Sequence, residues 1–220
     1  MATMRTLFGY FRSSAAYRVR IALALKGLDY AYEAINLKPG VTEQRSEAYL
    51  KLNPQGRVPY FVDGDVRISQ SPAIIEYLEE AYPDVALLPK NVGDRAYVRQ
   101  LANIVACDIH PLNNLSVLMW LKADLGADEN SVQKWYAHWV REGFGALESM
   151  LKNDRRTGTF CVGETPGLAD LYLVPQIWNA RRFNVPLDEF PTLLRIDAAC
   201  NDLEAFKAAA PENQPDTPAS

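Results

Sequence analysis

The sequence contains few cysteines and histidines, and this scarcity excludes two kinds of protein. Its three cysteines, Cys107, Cys161 and Cys200, are odd in number and widely spaced along 220 residues. They form neither a disulfide framework nor the paired spacing of a zinc site, and we expect no bound metal. This cysteine usage favours a reducing compartment, so a cytoplasmic location is expected.

Long apolar runs and an excess of positive charge are also missing. No apolar run approaches membrane-spanning length, and residues 1–5 lead directly into a strand-like segment rather than a signal peptide. Lys and Arg number 23 against 27 Asp and Glu, for a formal net charge of −4. We therefore expect neither a membrane nor a nucleic acid as partner. Hydrophobic residues make up 48% of the chain, which suits a packed globular core.

Strand and helix signals in residues 1–83 predict a thioredoxin-like domain. Short apolar and aromatic segments flank a first helix, and an Asp63-Gly64 turn signal lies inside a later hairpin. A helix between two strands implies a parallel βαβ unit. The predicted elements are strand 6–11, helix 13–27, strand 30–36, a helical turn at 48–52, hairpin 58–68 and helix 71–82.

After residue 83 the strand signals stop, and an all-helical second domain is predicted. Residues 84–93 follow Pro83 and contain Pro89, and these prolines interrupt the helical pattern. The segment is therefore predicted to be a linker between domains. Residues 94–210 carry apolar side chains at helical spacing. The prolines among polar residues in 211–220 predict a flexible tail. The predicted helices span 94–121, 131–151, 168–183 and 193–209.

The serines between the first strand and the first helix form a candidate anion site. Ser13 or Ser14 can cap a helix that ends at Gly27. A hydroxyl beside the free backbone N–H groups of a helix start can receive a negatively charged group. An ordinary capped helix is the alternative interpretation of the same residues.

The residues around these serines carry a family resemblance. Residues 13–23, SSAAYRVRIAL, resemble the N-terminal signature of zeta-class glutathione transferases, which include maleylacetoacetate and maleylpyruvate isomerases. The resemblance implies that Ser14 faces the sulfur of bound glutathione, with Ser13 and Arg12 as further catalytic candidates. The chain departs from the family at Ala15, where cysteine is usual. Glutathione carries the nucleophile, so this change need not abolish the reaction.

Two further segments resemble the glutathione-site motifs of this superfamily. They are residues 53–59, NPQGRVP, and residues 70–74, QSPAI. Taken alone, a proline before a strand and a serine cap are structural features. The resemblance implies that Pro59 follows a cis peptide and that Ser71 receives a carboxylate at a helix start. The implied glutathione contacts are Val58 to the cysteinyl backbone, Gln70 and Ser71 to the γ-glutamyl end, and Gln55 to the glycyl end.

The helical half supplies the remaining candidates. Residues 107–115 include Asp-Ile-His-Pro and resemble a zeta-class segment, which implies that His110 and Asn114 contribute to glutathione binding. A packed or interface histidine is the alternative for His110. Arg181 and Arg182 lie where zeta enzymes present cationic groups to an acidic substrate, with solvated surface arginines as the alternative. Arg12 is the third substrate-binding candidate, and Arg181 is preferred slightly over Arg182.

Residues 165–176 match the family's helix-start motif with one departure. Gly167 stands three residues before Asp170, where Thr or Ser is usual. Glycine is a tolerable cap, but it cannot return a side-chain hydrogen bond. Asp170 is therefore expected to stabilise the fold rather than to take part in chemistry.

The resemblance covers nearly the whole chain and implies a homodimeric, glutathione-dependent isomerase. The implied reaction is cis–trans isomerisation of a maleyl keto acid in aromatic catabolism. The thiolate adds beside the cis double bond, the resulting single bond rotates, and the thiolate leaves from the trans product. Two alternatives stay open: a conjugating or dehalogenating glutathione transferase, and a glutathione-binding protein without turnover.

Overall fold

A mixed four-stranded sheet lies at the centre of the first half of the chain. The structure is a computed structural model that describes residues 5–218. The strands are β1 Thr6–Gly9, β2 Ala31–Ala34, β3 Tyr60–Asp63 and β4 Val66–Ser69. Their order in the sheet is β2-β1-β3-β4, with β1 parallel to β2 and antiparallel to β3, and β3 antiparallel to β4. This order confirms the predicted thioredoxin-like fold.

Three helices connect or follow these strands. They are α1 Ser14–Leu25, α2 Glu47–Leu52 and α3 Ser71–Ala81. Helices α1 and α3 pack against each other, and their buried apolar side chains, with those of the sheet, form the core of this unit. Helix α1 is buried along nearly its whole length, which includes the side chains of Arg18 and Arg20. The core thus fixes the helix whose first turn carries Ser13 and Ser14.

The described residues between Leu87 and Asp202 form a second compact unit of helices and loops. Its helices are α4 Val92–Asn103, α5 His110–Asn113, α6 Leu115–Ala123, α7 Glu129–Asn153, α8 Leu168–Arg182 and α9 Pro191–Asn201. The first predicted helix, 94–121, is therefore interrupted in the structure. A π-helical segment, Ile104–Ile109, follows α4, and an extended backbone at Asn114 (φ −72°, ψ 158°) separates α5 from α6.

The C-terminal segment belongs to the first unit. Residues 203–218 pack with residues 5–86, beginning with α10 Glu204–Ala209 on α1. This differs from the predicted boundary at 210 and from the flexible tail expected at 211–220. Asp216 accepts a hydrogen bond from the backbone N–H of Phe11 at 2.9 Å, which anchors this segment. Residues 219–220 lie outside the described part.

One helical stretch among the described residues, Val92–Ala123, is long and apolar enough to cross a membrane by length and composition alone. This is weak support for a membrane span, because core helices of soluble proteins have the same length and composition. The stretch is also broken by the extended backbone at Asn114 and carries the charged residues Asp94 and Asp108.

Candidate functional site

The two serines before the first helix have different positions and different partners. Ser13 is the N-cap of α1, and its side-chain oxygen accepts a hydrogen bond from the Ala16 N–H at 3.2 Å. Ser14 is the first helical residue and is buried. Because capping occupies Ser13, Ser14 is the better candidate for contact with a ligand at the helix start. Arg12, one residue earlier, is exposed, with its guanidinium 4.9 Å from the Phe11 ring centroid.

The loop before β3 is held by side chains and carries a cis peptide. The Val58–Pro59 bond is cis, as the motif predicts. The Arg57 carbonyl accepts hydrogen bonds from the Tyr49 hydroxyl at 2.8 Å and from Asn53 Nδ2 at 2.7 Å. Val58 precedes the β3 ladder, which begins at Tyr60. Its backbone therefore lies beyond the paired edge of the sheet, where an extended ligand can pair with it.

Glycine is required within the same loop. Gly56 has φ +61°, and a Cβ atom there would lie 2.9 Å from the Gln44 carbonyl oxygen. Its N–H donates to the Asn53 carbonyl at 2.9 Å. Any larger residue would have to displace backbone as well as adopt a left-handed conformation. The loop that presents Gln55 is thus fixed on both sides.

Gln55 and Gln70, which the sequence motifs place in one site, are in contact. Gln70 Nε2 donates to Gln55 Oε1 at 2.7 Å, although the two residues are 15 positions apart. Gln70 has φ 73° and ψ 114°, an unusual conformation for a residue with a side chain. Such strain costs about 1–3 kcal/mol and is concentrated at functional sites.

Ser71 lies in the first turn of α3, but it is not the cap. Helix α3 begins at Ser71 itself, and the N-cap position is Gln70, whose side chain makes no capping bond. The predicted Ser71 cap is wrong because the backbone bends at Gln70, one residue earlier. The Ser71 hydroxyl instead accepts a hydrogen bond from Arg18 Nη1 at 3.3 Å, and both residues are buried. An N–H in a first helical turn has no acceptor within the helix.

Arg18 was not among the predicted site residues, yet it contacts one of them. It projects from the buried helix α1 to the start of α3. An arginine in the middle of an apolar helix was the available signal, because a buried charge needs polar partners. Its position places positive charge beside the hydroxyl that is proposed to receive a carboxylate.

In the second unit, Asn114 has a local structural role. Its side-chain oxygen accepts from the Ser116 and Val117 N–H groups at 3.0 and 3.3 Å, and its Nδ2 donates to the Pro111 carbonyl. Asn114 is thus the N-cap of α6. His110 is the first residue of α5 and is partly buried. Glutathione contact by either residue stays a prediction.

The two arginines at the end of α8 have different surroundings. Arg181 Nη1 lies 2.7 Å from Asp197 Oδ2, and Asp197 is buried. Burial raises the pKa of Asp197, and the Arg181 guanidinium lowers it in return. Arg182 is exposed and lies over the Phe183 ring at 4.6 Å. The ion pair commits one nitrogen of Arg181 to the fold, so it removes the reason for preferring Arg181 as the substrate ligand.

Asp170 stabilises the start of α8, as the sequence indicates. Its carboxylate accepts from the Gly167 N–H at 2.8 Å and from the Cys161 N–H at 2.9 Å. Burial raises the pKa of Asp170, and these N–H groups lower it. A Cβ atom at Gly167 would lie 2.9 Å from the Leu87 carbonyl oxygen. This close approach leaves little room for a side chain at position 167.

Two of the three cysteines, Cys161 and Cys200, are buried and offer no alternative nucleophile, whereas Cys107 is exposed. Burial raises the pKa of the Cys161 and Cys200 thiols, so both stay protonated at neutral pH. Among residues 5–218, no cluster of three or more His, Cys, Asp or Glu side chains is arranged to hold a metal ion.

Comparisons with known proteins agree with this arrangement. Residues 4–80 match the family model "Glutathione S-transferase, N-terminal domain". A maleylacetoacetate isomerase from Pseudomonas aeruginosa is 51% identical over 215 residues, which is 97% of this chain and 99% of the relative. A holo structure of a maleylpyruvate isomerase, described as a bacterial zeta-class glutathione S-transferase, has a TM-score of 0.94 at 47% identity and covers 97% of this chain and 100% of its own.

A further structure holds the ligand that the site residues predict. The maleylacetoacetate isomerase from Anaeromyxobacter dehalogenans 2CP-1, with GSH bound in its active site, has a TM-score of 0.88 at 42% identity and covers 99% of each chain. The thioredoxin-like unit, with its serines at a helix start and its cis-proline, followed by a helical unit, defines a glutathione transferase. More narrowly, the chain belongs to the zeta-class glutathione transferase and maleylacetoacetate (maleylpyruvate) isomerase family.

Proposed function

We propose that the protein is a glutathione-dependent cis–trans isomerase of a maleyl keto acid, either maleylacetoacetate or maleylpyruvate. The observation that carries this proposal is the 51% identity to a maleylacetoacetate isomerase across 97% of the chain. The matching structures include isomerases of both substrate types. Both maleyl acids present carboxylates and a keto group, so the choice between them is left to experiment.

Bound glutathione supplies the thiolate that adds to the cis double bond and leaves from the trans product. Ser14 stabilises that thiolate, because it is buried at the first position of α1 while Ser13 serves as the cap. The pKa of a free thiol is about 8.5, and lowering it by about two units requires roughly 2.7 kcal/mol. A helix N-terminus contributes about 0.3–2 kcal/mol, and a hydrogen bond to a charged acceptor about 1.5–3 kcal/mol. The two effects suffice without a charged base.

Residues of the first unit fit the rest of glutathione. The backbone of Val58 lies beside the cis-proline and before the first paired residue of β3, so it is available to the cysteinyl part of glutathione. The first turn of α3 offers the Ser71 hydroxyl, with Arg18 behind it, for the γ-glutamyl carboxylate. Gln70 and Gln55 are hydrogen-bonded to each other and span the two ends of the ligand site. One candidate glutathione site is thus formed by Gln55, Val58, Pro59, Gln70 and Ser71.

The substrate carboxylates require cationic partners, because desolvating two unpaired carboxylates is expensive. Arg12 is the strongest candidate, since it is exposed and lies two residues before Ser14. Arg182 replaces Arg181 as the favoured arginine of α8, because Arg181 is paired with Asp197. Arginine suits this task because it stays charged and binds carboxylates bidentately.

The cellular setting follows from the family resemblance. We infer that the protein acts as a homodimer in the cytoplasm, in the breakdown of an aromatic compound. His110 and Asn114 are kept as candidates for further contacts to glutathione. Size measurement in solution tests the dimer, and turnover of a maleyl acid tests the link to the breakdown of an aromatic compound.

A second candidate function is glutathione conjugation of an electrophile. It is supported by the description of the maleylpyruvate isomerase relative as a glutathione S-transferase. The two candidates make different use of glutathione, since an isomerase regenerates it and a conjugating enzyme consumes it.

One experiment separates these candidates. The purified protein is first tested for retention on immobilised glutathione. Absorbance assays then follow maleylpyruvate, maleylacetoacetate and chlorodinitrobenzene, each with glutathione. Turnover of a maleyl acid well above that of chlorodinitrobenzene supports the isomerase. Turnover of chlorodinitrobenzene alone would favour the conjugating enzyme.

A further inference from the structure

Both backbone polar groups of Phe11 are held by charged side chains. The Phe11 N–H donates to Asp216 Oδ2 at 2.9 Å, and the Phe11 carbonyl accepts from Arg20 Nη2 at 3.2 Å. Phe11 is 4% exposed. The chain then passes through Arg12 to the serines that begin α1. The backbone that enters this turn is thus hydrogen-bonded on both its N–H and its carbonyl side.

Arg20 is itself tied to the C-terminal segment. Its side chain is fully buried, and its Nε donates to the Ala209 carbonyl at 2.9 Å. Its guanidinium lies 5.2 Å from the Tyr17 ring centroid. Ala209 is the last residue of α10, so Arg20 joins this helix to the turn at Phe11.

The segment that carries Asp216 is a built structure. Gln214 Nε2 donates to the carbonyls of Ala208 and Ala210, both at 2.9 Å. The Thr217 N–H donates to the Gln214 carbonyl at 3.0 Å, and the Thr217 hydroxyl donates to the Pro211 carbonyl. These four bonds close a compact turn on the end of α10. The position of Asp216 is therefore fixed by bonds within its own segment as well as by its bond to Phe11.

The charge of Asp216 lies close to that of Arg20. Burial lowers the pKa of Arg20, whereas neighbouring tyrosines and Asp216 raise it. Tyr32, at the same place, has a pKa raised by burial, lowered by Arg20 and raised by Asp216. Asp216 thus has two properties that substitution can separate: a negative charge that acts on Arg20 and Tyr32, and an acceptor oxygen bonded to the Phe11 N–H.

We propose that Asp216 is a positioning residue for the isomerase reaction, acting through its acceptor oxygen on the Phe11 N–H to fix the turn that places Ser14. This proposal rests on the proposed role of Ser14 at the thiolate. Asp216 itself touches neither glutathione nor substrate in this account. The chemistry it supports is the alignment of the Ser14 hydroxyl with the sulfur.

Two conservative variants separate the acceptor from the charge. Asp216→Asn keeps an acceptor oxygen at the same distance and removes the charge. Asp216→Glu keeps the charge and moves the acceptor by one methylene. Thr217→Val is the matched control, because it removes the bond to Pro211 in the same turn without touching Phe11. The readouts are kcat, the glutathione KM, the thiol pKa of bound glutathione and the unfolding free energy.

If Asp216 positions the turn, kcat should depend on the position of its acceptor oxygen and not on its charge. Asp216→Glu should lower kcat about tenfold or more, as expected for a displaced catalytic group, and raise the bound thiol pKa. Asp216→Asn should keep kcat near the wild-type value even though it loses stability, because Arg20 loses its nearby charge. The glutathione KM should change little in both, since Gln70 and Ser71 are not moved. Thr217→Val should lower stability without changing the thiol pKa.

The opposite pattern would overturn the proposal. If Asp216→Glu behaves like the wild type and Asp216→Asn is impaired, the charge matters and the acceptor does not. If Thr217→Val lowers kcat as much as Asp216→Glu, general docking of the segment explains the effect. Amide exchange of Phe11, followed with ¹⁵N-phenylalanine, reports the bond directly and should accelerate only in Asp216→Glu.

Failure of the proposed function gives a different result. If the wild-type protein turns over no maleyl acid, that function fails, while the bound thiol pKa and the Phe11 amide exchange still test Asp216. If the wild type is active and the thiol pKa is equal in all four proteins, the positioning role alone is refuted.

Discussion

Gln70 Nε2 donates a hydrogen bond to Gln55 Oε1 at 2.7 Å, which joins the two motifs from which the glutathione site is predicted. Gln55 lies in the loop before the cis-proline, and Gln70 is the strained residue at the N-cap of α3. The contact lies beside the positive φ of Gln70, so the strained residue and the loop meet at one place.

This contact predicts that the two glutamines act as a unit. Gln55→Ala and Gln70→Ala should each weaken glutathione binding, and the double variant should lose less than the sum of the two. Residues in direct contact show coupling of about 0.5–3 kcal/mol. Calorimetric titration of the four proteins with glutathione measures this coupling. Strictly additive losses would show that the contact is not used in the bound state.

Replacing Ser13 and replacing Ser14 should affect different properties of the protein. Ser14→Ala should destabilise the bound thiolate by about 1.5–3 kcal/mol, the value of a hydrogen bond to a charged group, and lower turnover. Ser13→Ala should cost about 1 kcal/mol of folding stability, as for other lost N-caps, with a smaller effect on the thiol pKa. Ultraviolet titration of bound glutathione and urea unfolding supply the two readouts. An unchanged thiol pKa in Ser14→Ala would remove Ser14 from the mechanism.

Ser71→Ala should weaken glutathione binding rather than slow the chemical step. The loss of a hydrogen bond to a carboxylate predicts about 1.5–3 kcal/mol in affinity. Turnover at saturating glutathione should stay close to that of the wild type. Thr is a suitable control, since Ser71→Thr keeps the hydroxyl that accepts from Arg18. Equal affinity of Ser71→Ala and wild type for glutathione would contradict the assignment.

Arg12→Ala should raise the KM for the maleyl acid much more than the KM for glutathione. The physical reason is that Arg12 is assigned to a substrate carboxylate, whereas Gln70 and Ser71 are assigned to glutathione. Arg67→Ala is a matched control, because Arg67 is also exposed in the first unit but bonds only locally to Asp65. Should both KM values stay unchanged in Arg12→Ala, the assignment of an acidic substrate to this residue fails.

Arg181 and Arg182 should separate into a structural and a functional residue. Arg181→Ala leaves the buried Asp197 without its cation, and a hydrogen bond between charged groups is worth about 1.5–3 kcal/mol. The expected loss lies toward the lower end, because Arg181 is half-exposed and solvent screens the pair. Arg182→Ala should spare stability and raise the KM for the maleyl acid. Urea unfolding and steady-state kinetics compare the two variants, and the reverse pattern would contradict the assignment.

Local signals in the sequence predicted the sheet and its connections. The Asp63-Gly64 turn, the serines before α1 and the Ser71-Pro72 helix start each lie within a few residues of the structure they specify. The Val58–Pro59 cis peptide was predicted from the motif and is confirmed. The cap of α3 was placed one residue late, because the positive φ of Gln70 has no signature in a glutamine side chain.

Long-range contacts were beyond the reach of local pattern. The C-terminal residues look like a tail because they are polar and rich in proline, yet Asp216 bonds to a residue 205 positions away. Arg18 and Arg20 look solvated by residue type, but α1 is buried on all sides. Their partners at Ser71 and Ala209 come from other elements, so only the assembled fold brings them together.

The most direct test of the account is the fate of glutathione during turnover of a maleyl acid. Maleylpyruvate or maleylacetoacetate is supplied in large excess over glutathione, and both the trans product and the free thiol are quantified. An isomerase should convert the substrate completely to the trans isomer and leave the free thiol unchanged, because the thiolate is released in each cycle. Conversion that stops when the glutathione is consumed, with loss of free thiol, would contradict the account and identify a conjugating enzyme.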